Sequence, residues 1–211
     1  MDGRLGGRLV IATHNPGKLW EMRALLAPYG IEALSAAELG LAEPEEDAAS
    51  FAANAKLKAQ GAAKAANLPA LADDSGLCVD ALGGAPGLHS ARWAEISPGG
   101  PRDFSIAMDK VEAALRKARA TPPFRAHFIS AIALAWPNGR SATFEGKVDG
   151  TLVFPPRGKL GFGYDPIFLP DGLTRTFGEM MMQEKQAMPA DGSSPLSHRA
   201  RAFQAFARAC L

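Results

Sequence analysis

Apolar residues first gather at Leu9-Val10-Ile11-Ala12, within a stretch from Arg8 to Thr13 that reads as a buried strand. Asn15-Pro16-Gly17 breaks the extended pattern, and Leu19, Met22, Leu25 and Leu26 then fall on one helical stripe. This is a strand, loop, helix unit. Residues Glu38 to Asp47 are acidic and contain proline, which predicts a loop before Ser50 caps an Ala-rich helix running to about Ala66. A short strand is expected from Pro69 to Ala72, stopping at Asp73-Asp74-Ser75-Gly76, with Leu77 to Val79 beyond. The stretch Gly83 to Gly87 then reads as an ordered surface turn.

Phe104, Ala107, Met108, Val111 and Leu115 recur at helical spacing behind the cap Asp103, and Thr121-Pro122-Pro123 ends that helix. Phe124 to Trp136 and Ser141 to Gly146 flank the turn Pro137-Asn138-Gly139-Arg140 and predict a long β-hairpin, with more strand around Thr151 to Phe154. A last helix opens at Ser197 and carries Phe203, Phe206, Ala207 and Cys210 on one face. Helices interleaved with strands, two of them a hairpin, predict an α/β fold with a mixed sheet. No repeat and no separating linker occurs, so residues 1–211 read as a single domain.

Composition removes several function classes. Lys and Arg number 23 against 22 Asp and Glu, a formal net charge of +1, which argues against a nucleic-acid or general polyanion binder. The longest nearly unbroken apolar run, Phe128 to Trp136, falls far short of the roughly 20 residues a bilayer-spanning helix needs, so no membrane span is expected. The first residues show neither an apolar signal core nor a cleavage site. Cys78 and Cys210 lack metal-ligand spacing and fit a reducing compartment, which makes a cytoplasmic location the expectation.

Five stretches can carry chemistry, each with an ordinary structural alternative. Thr13 to Lys18 lies between strand and helix, where backbone N–H groups and Lys18 can receive a phosphate; an exposed Asn-Pro-Gly turn is the alternative. Phe51, Asn54 and Lys58 share one side of a helix, which is otherwise a solvated basic face. Asp73 and Asp74 could hold a hard cation at a strand end, helped by the acidic loop Glu43 to Asp47, or could simply form an Asx turn. Gly161 to Pro166 offers close backbone approach and rings to stack on a flat base, or a hairpin with buried aromatics. Ser197-His198-Arg199 pairs a cap with two donors, or is a cap followed by exposed basic residues.

Taken in order, these motifs resemble the inosine/xanthosine triphosphate pyrophosphatases, which remove non-standard purine nucleoside triphosphates from the nucleotide pool. The carriers are Ala12 to Lys18, Ser50-Phe51 through Asn54-Ala55 with Lys58-Ala59, and Ala72 to Leu77. Leu82 to Gly87 with Ser90-Ala91-Arg92, Gly161 to Pro166, Thr176 to Met180 and Ser197-His198-Arg199 complete the set, so the likeness spans essentially the whole chain. It implies an elongated mixed sheet flanked by helices, with an active-site cleft between two lobes. The implied reaction splits ITP, dITP and XTP between the α and β phosphates, with Mg²⁺, and the implied assembly is a homodimer.

The resemblance also implies roles. Thr13, His14, Asn15, Pro16, Gly17, Lys18 and Lys58 would hold the triphosphate, and Asp74 would be the metal-linked general base. Glu46, five residues before Phe51, would share the cation, with Glu45 as its rival. Ser75 and Phe162, Gly163, Tyr164 and Asp165 would line the nucleotide site, His198 and Arg199 would read the purine, and Asp73 would support Asp74. One departure concerns Lys185. The family places this lysine four residues before the serine of Ser-His-Arg, whereas here twelve separate Lys185 from Ser197. The extra Met188 to Pro195 is expected to be a loop, and Lys185 reaches the phosphates if that loop bulges outward.

Overall fold

The computed structural model describes residues 5–42, 44 and 48–211. A six-stranded sheet in the order β2-β1-β3-β4-β5-β6 runs through it. β1 (Arg8–Ile11) pairs parallel with β2 (Glu32–Ser35) and β3 (Ala70–Val79). β4 (Phe124–Ala135), β5 (Ser141–Leu152) and β6 (Phe168–Pro170) follow β3, each antiparallel to its neighbour, so the predicted mixed α/β sheet is what forms. The helices are α1 (Pro16–Leu26), α2 (Phe51–Ala66), α3 (Ser90–Trp93), α4 (Phe104–Lys117), α5 (Met182–Gln186) and α6 (His198–Cys210).

Side chains alternate across a strand, and that alternation sorts the core. Leu9, Ile11, Leu71, Ile132 and Leu134 meet Met22 and Leu26 of α1 and Phe203 and Phe206 of α6. Val10, Ala70, Ala72, Ala131 and Ala133, their sequence neighbours, meet Ala55, Ala59 and Ala63 of α2. Small residues on both partners bring α2 close to the sheet. A third cluster packs Leu77, Val79, Phe128 and Phe168 against Ala107, Val111 and Leu115 of α4. Phe203 and Phe206 are wholly buried, and each contributes about 1.5–3 kcal/mol by leaving water.

Two expectations need correction. The pattern at Asp73 to Gly76 predicts a turn, yet β3 runs extended through all four residues and pairs with β4 from Ala70↔Ala135 to Val79↔Ala126. Acidic residues persist in a buried strand because cations and hydroxyls meet them from outside the strand. Gly76 persists because a Cβ there would stand 2.6 Å from Ser90 Oγ, with the Gly87 carbonyl nearer still. Likewise, the strand material at Thr151 joins the second hairpin strand in one continuous β5.

Candidate functional site

The β1–β3 register is short, Val10↔Ala70 and Ile11↔Leu71, so β3 from Asp73 onward runs past the carboxyl end of its parallel neighbour. Open α/β sheets form ligand crevices at such places. A cavity of about 540 Å³ lies there. Alternation sends Asp73, with Leu71, toward α1 and α6, and sends Asp74, with Ala72, toward α2.

On the first face, Lys18 Nζ lies 2.7 Å from Asp73 Oδ2, and Arg199 Nη2 lies 3.2 Å from the same oxygen. Ser130 donates to Asp73 Oδ1, Ser75 Oγ donates to Asp73 Oδ2 at 3.2 Å, and Arg199 Nη2 donates to Ser75 Oγ at 3.0 Å. Arg199 Nη1 also binds Glu21 of α1. Burial alone would push the Asp73 carboxyl up; Arg199 and Lys18 instead hold it well below the usual carboxylate range. On the second face, Asn54 Nδ2 donates to Asp74 Oδ2 at 3.1 Å, while Lys58 Nζ donates to Asp74 Oδ1 at 3.3 Å and to the Asp73 carbonyl at 3.0 Å. Asn54 and Lys58 are therefore buried and engaged, not a solvated face.

The other end of the cavity is aromatic. The His198 ring stacks on Phe128 with centroids 4.8 Å apart and an interplanar angle of 12°. Phe162 lies over the Arg199 guanidinium at 5.7 Å, a cation–π contact. Burial, then the neighbouring Arg199 charge, pushes the His198 imidazole well below its ordinary value and keeps it neutral. Tyr164 braces this wall: its hydroxyl donates to the Ser90 carbonyl at 2.8 Å and its ring meets Phe104 edge-on. Lys185 Nζ lies 2.7 Å from Asp165 Oδ2, and a Cβ on Gly161 would collide with this pair.

Thr13, Asn15, Lys18, Lys58, Asp74, Ser75, Phe162, Gly163, Tyr164, Asp165, Lys185, His198 and Arg199 line this one cavity. His14, Pro16 and Gly17 stand outside that lining. His14 Nε2 instead pairs with the Leu41 carbonyl at 3.0 Å beside a smaller cavity of about 240 Å³, and Gly17 lies under the Phe162 ring. Asn15 Oδ1 accepts from the Gly17 and Lys18 N–H groups, so in this state Asn15 caps α1 and those amides are taken. Glu45 and Glu46 lie outside the described residues, while Pro44 of the same loop reaches the cavity wall. Among the described residues no cluster of three or more metal-ligating side chains forms.

The segment Met188 to Pro195 does bulge outward. Ser197 N donates to the Lys185 carbonyl at 3.1 Å and closes the loop at its base. Gln204 and Arg208 of α6 hold its outer part through the Ser193 and Gly192 carbonyls. Lys185 is thereby returned to the cavity, beside Asp165 and the Phe177 ring, at the aromatic end. Glu21 and Ser130 were absent from the sequence-derived site. Glu21 carries a readable signal, since it follows Lys18 by three residues and so shares its helix face.

An α/β protein with buried cations and carboxylates around a crevice beside an aromatic recess has the build of a nucleotide-handling enzyme. The chain belongs to the Ham1 family, whose model matches residues 9–209. A protein of Rhodopseudomonas palustris bearing the name dITP/XTP pyrophosphatase is 61% identical over 213 residues, covering 100% of this chain and 99% of its own. One of the same name from Bradyrhizobium sp. is 59% identical, covering 99% and 96%. A solved HAM1 protein structure from Coxiella burnetii superposes with a TM-score of 0.82 at 37% identity, covering 96% of this chain and 97% of its own.

Proposed function

We propose that this chain is a nucleoside triphosphate pyrophosphatase that hydrolyses dITP, XTP and ITP to the monophosphate and pyrophosphate. The observation that carries the reading is the joining, in one cavity, of Lys18, Lys58 and Asp74 with the recess of Phe162, His198 and Arg199. The names of the close relatives support it.

Lys18 and Lys58 bind the phosphates. Water attacks the α phosphorus, the bond from that phosphorus to the α,β-bridging oxygen breaks, and the lysines stabilise the charge developing on pyrophosphate. Asp74, held between Asn54 and Lys58, takes a proton from the attacking water. Asp74, whose hard carboxylate oxygens line the cavity, would hold a magnesium ion together with Glu46 or Glu45. Bound Mg²⁺ would neutralise phosphate charge and orient the triphosphate. Arg199 and His198 face the purine. Arg199 donates to a 6-oxo group, whereas the 6-amino group of adenine leaves that donor unpaired.

We also assign the enzyme to the cytoplasm, on its two free cysteines, and to a homodimer, on the family resemblance. No described helix is long and apolar enough to cross a membrane. The test is pyrophosphate release from dITP, XTP, dGTP and dATP, with Mg²⁺ and with chelator, alongside Asp74→Asn. Fast release from dITP and XTP, lost on chelation and reduced at least ~100-fold in the variant, is expected. Orthophosphate in place of pyrophosphate, or dITP bound without turnover, overturns the reading.

A further inference from the structure

Gln186, the last residue of α5, is about nine-tenths buried yet contributes to the wall of the cavity. Its Oε1 is shut off from solvent and has no hydrogen-bond partner. A desolvated, unpaired amide oxygen destabilises the free protein, so its retention points to a donor that arrives with a ligand.

The chemistry nearby defines that donor. Arg199 and Lys185 donate only, and the carboxylates beside them are committed: Asp165 Oδ2 to Lys185 and the Phe162 N–H, Glu21 and Asp73 to Arg199. A 6-oxopurine presents an acceptor, O6, next to a donor, N1–H. The cationic groups serve O6 and leave N1–H without an acceptor. His198 Nδ1 is also unpartnered, but its ring is stacked flat on Phe128. The terminal torsion of glutamine is soft, so the Gln186 amide can turn.

Resting on the proposed pyrophosphatase reading, we infer that Gln186 is a specificity-determining residue whose carboxamide oxygen turns into the cavity and accepts the N1–H of a 6-oxopurine. Adenine carries a lone pair at N1 and can be met only by the Nε2 side of the amide, which leaves Oε1 buried and unpaired. Hypoxanthine and xanthine both carry the proton, and Gln186 does not separate them.

The experiment measures kcat/KM for dITP and dATP, together with Tm, in the full-length wild type, Gln186→Met and Gln186→Glu. Methionine keeps the bulk and removes the acceptor. It is expected to lower kcat/KM for dITP about three- to tenfold, the net worth of one hydrogen bond, and to narrow the dITP-to-dATP ratio by the same factor. Its Tm stays level or rises, because the unpaired oxygen is gone. Glutamate keeps an acceptor and so keeps the ratio. An unchanged dITP value in Gln186→Met overturns the assignment, as does a parallel fall for both substrates with a lowered Tm, the mark of a packing role. A wild type that releases no pyrophosphate from dITP overturns the functional reading and this assignment with it.

Discussion

Lys185 and Asp165, twenty residues apart in sequence, form a buried ion pair, with Nζ 2.7 Å from Oδ2. Burial pushes the Asp165 carboxyl above its ordinary range, and Lys185 only partly offsets that. A buried charge that loses its partner costs about 3–5 kcal/mol, whereas removing both members costs far less. Lys185→Met is therefore expected to destabilise the protein by about 3 kcal/mol or more at pH 7. Adding Asp165→Asn to it should restore at least ~1 kcal/mol. Urea denaturation of the two singles and the double closes the cycle. Additive losses would mean that the two residues do not depend on each other.

The same pair shows what the sequence could and could not reveal. Elements with local signals were legible: Ser50, Asp103 and Ser197 each accept a hydrogen bond from the helix they precede. The extended course of Asp73 and Asp74 was not, because what supports it is remote. Asp73 binds Ser130, 57 residues on, and Arg199, 126 residues on. Local turn propensity therefore lost to tertiary pairing. The site motifs were readable as a set, and most of their residues meet in one cavity. Gln186 left no trace in the pattern, since only the fold shows that its oxygen is buried and unpaired.

Gly76 of β3 lies directly against the Gly87 carbonyl. Its Cβ would meet Ser90 Oγ at 2.6 Å and the Phe51 ring at 3.0 Å, and backbone cannot retreat as a flexible side chain can. Gly76→Ala is expected to cost about 3 kcal/mol, the upper part of the overpacking range. A denaturation midpoint within ~0.3 kcal/mol of wild type would show that the Ser90 segment yields freely.

His198 gives stability a pH dependence. Burial and the Arg199 charge set its folded pKa below the ordinary 6.5, so between the two values the unfolded chain binds the extra proton. Its contribution is whole above pH 6.5 and is lost as pH falls toward the folded pKa, by up to about 1.4 kcal/mol per unit. His198→Gln, neutral at every pH, should show a shallower decline between pH 6.5 and 5. Parallel wild-type and variant curves over that window would mean that His198 is not held neutral.

The Met188–Pro195 bulge tests whether the late lysine depends on its unusual spacing. Deleting these eight residues leaves Lys185 four positions before Ser197, the spacing of the family it resembles. The Lys185 carbonyl already accepts from Ser197 N at 3.1 Å, so the two ends of the excised stretch lie close enough to be rejoined without moving α6. Most of what is lost is peripheral: Gln204 to the Ser193 carbonyl and Arg208 to that of Gly192 are surface contacts, and only Pro195, whose carbonyl accepts from Arg201, is buried. Exposed side chains make the first two of these contacts, and such surface contacts contribute about 1 kcal/mol or less each. Pyrophosphate release from dITP by the shortened chain is expected within about threefold of wild type, with a Tm lowered by a few degrees. A collapse of kcat/KM with the Tm preserved would show instead that the loop, and not only its base, positions Lys185.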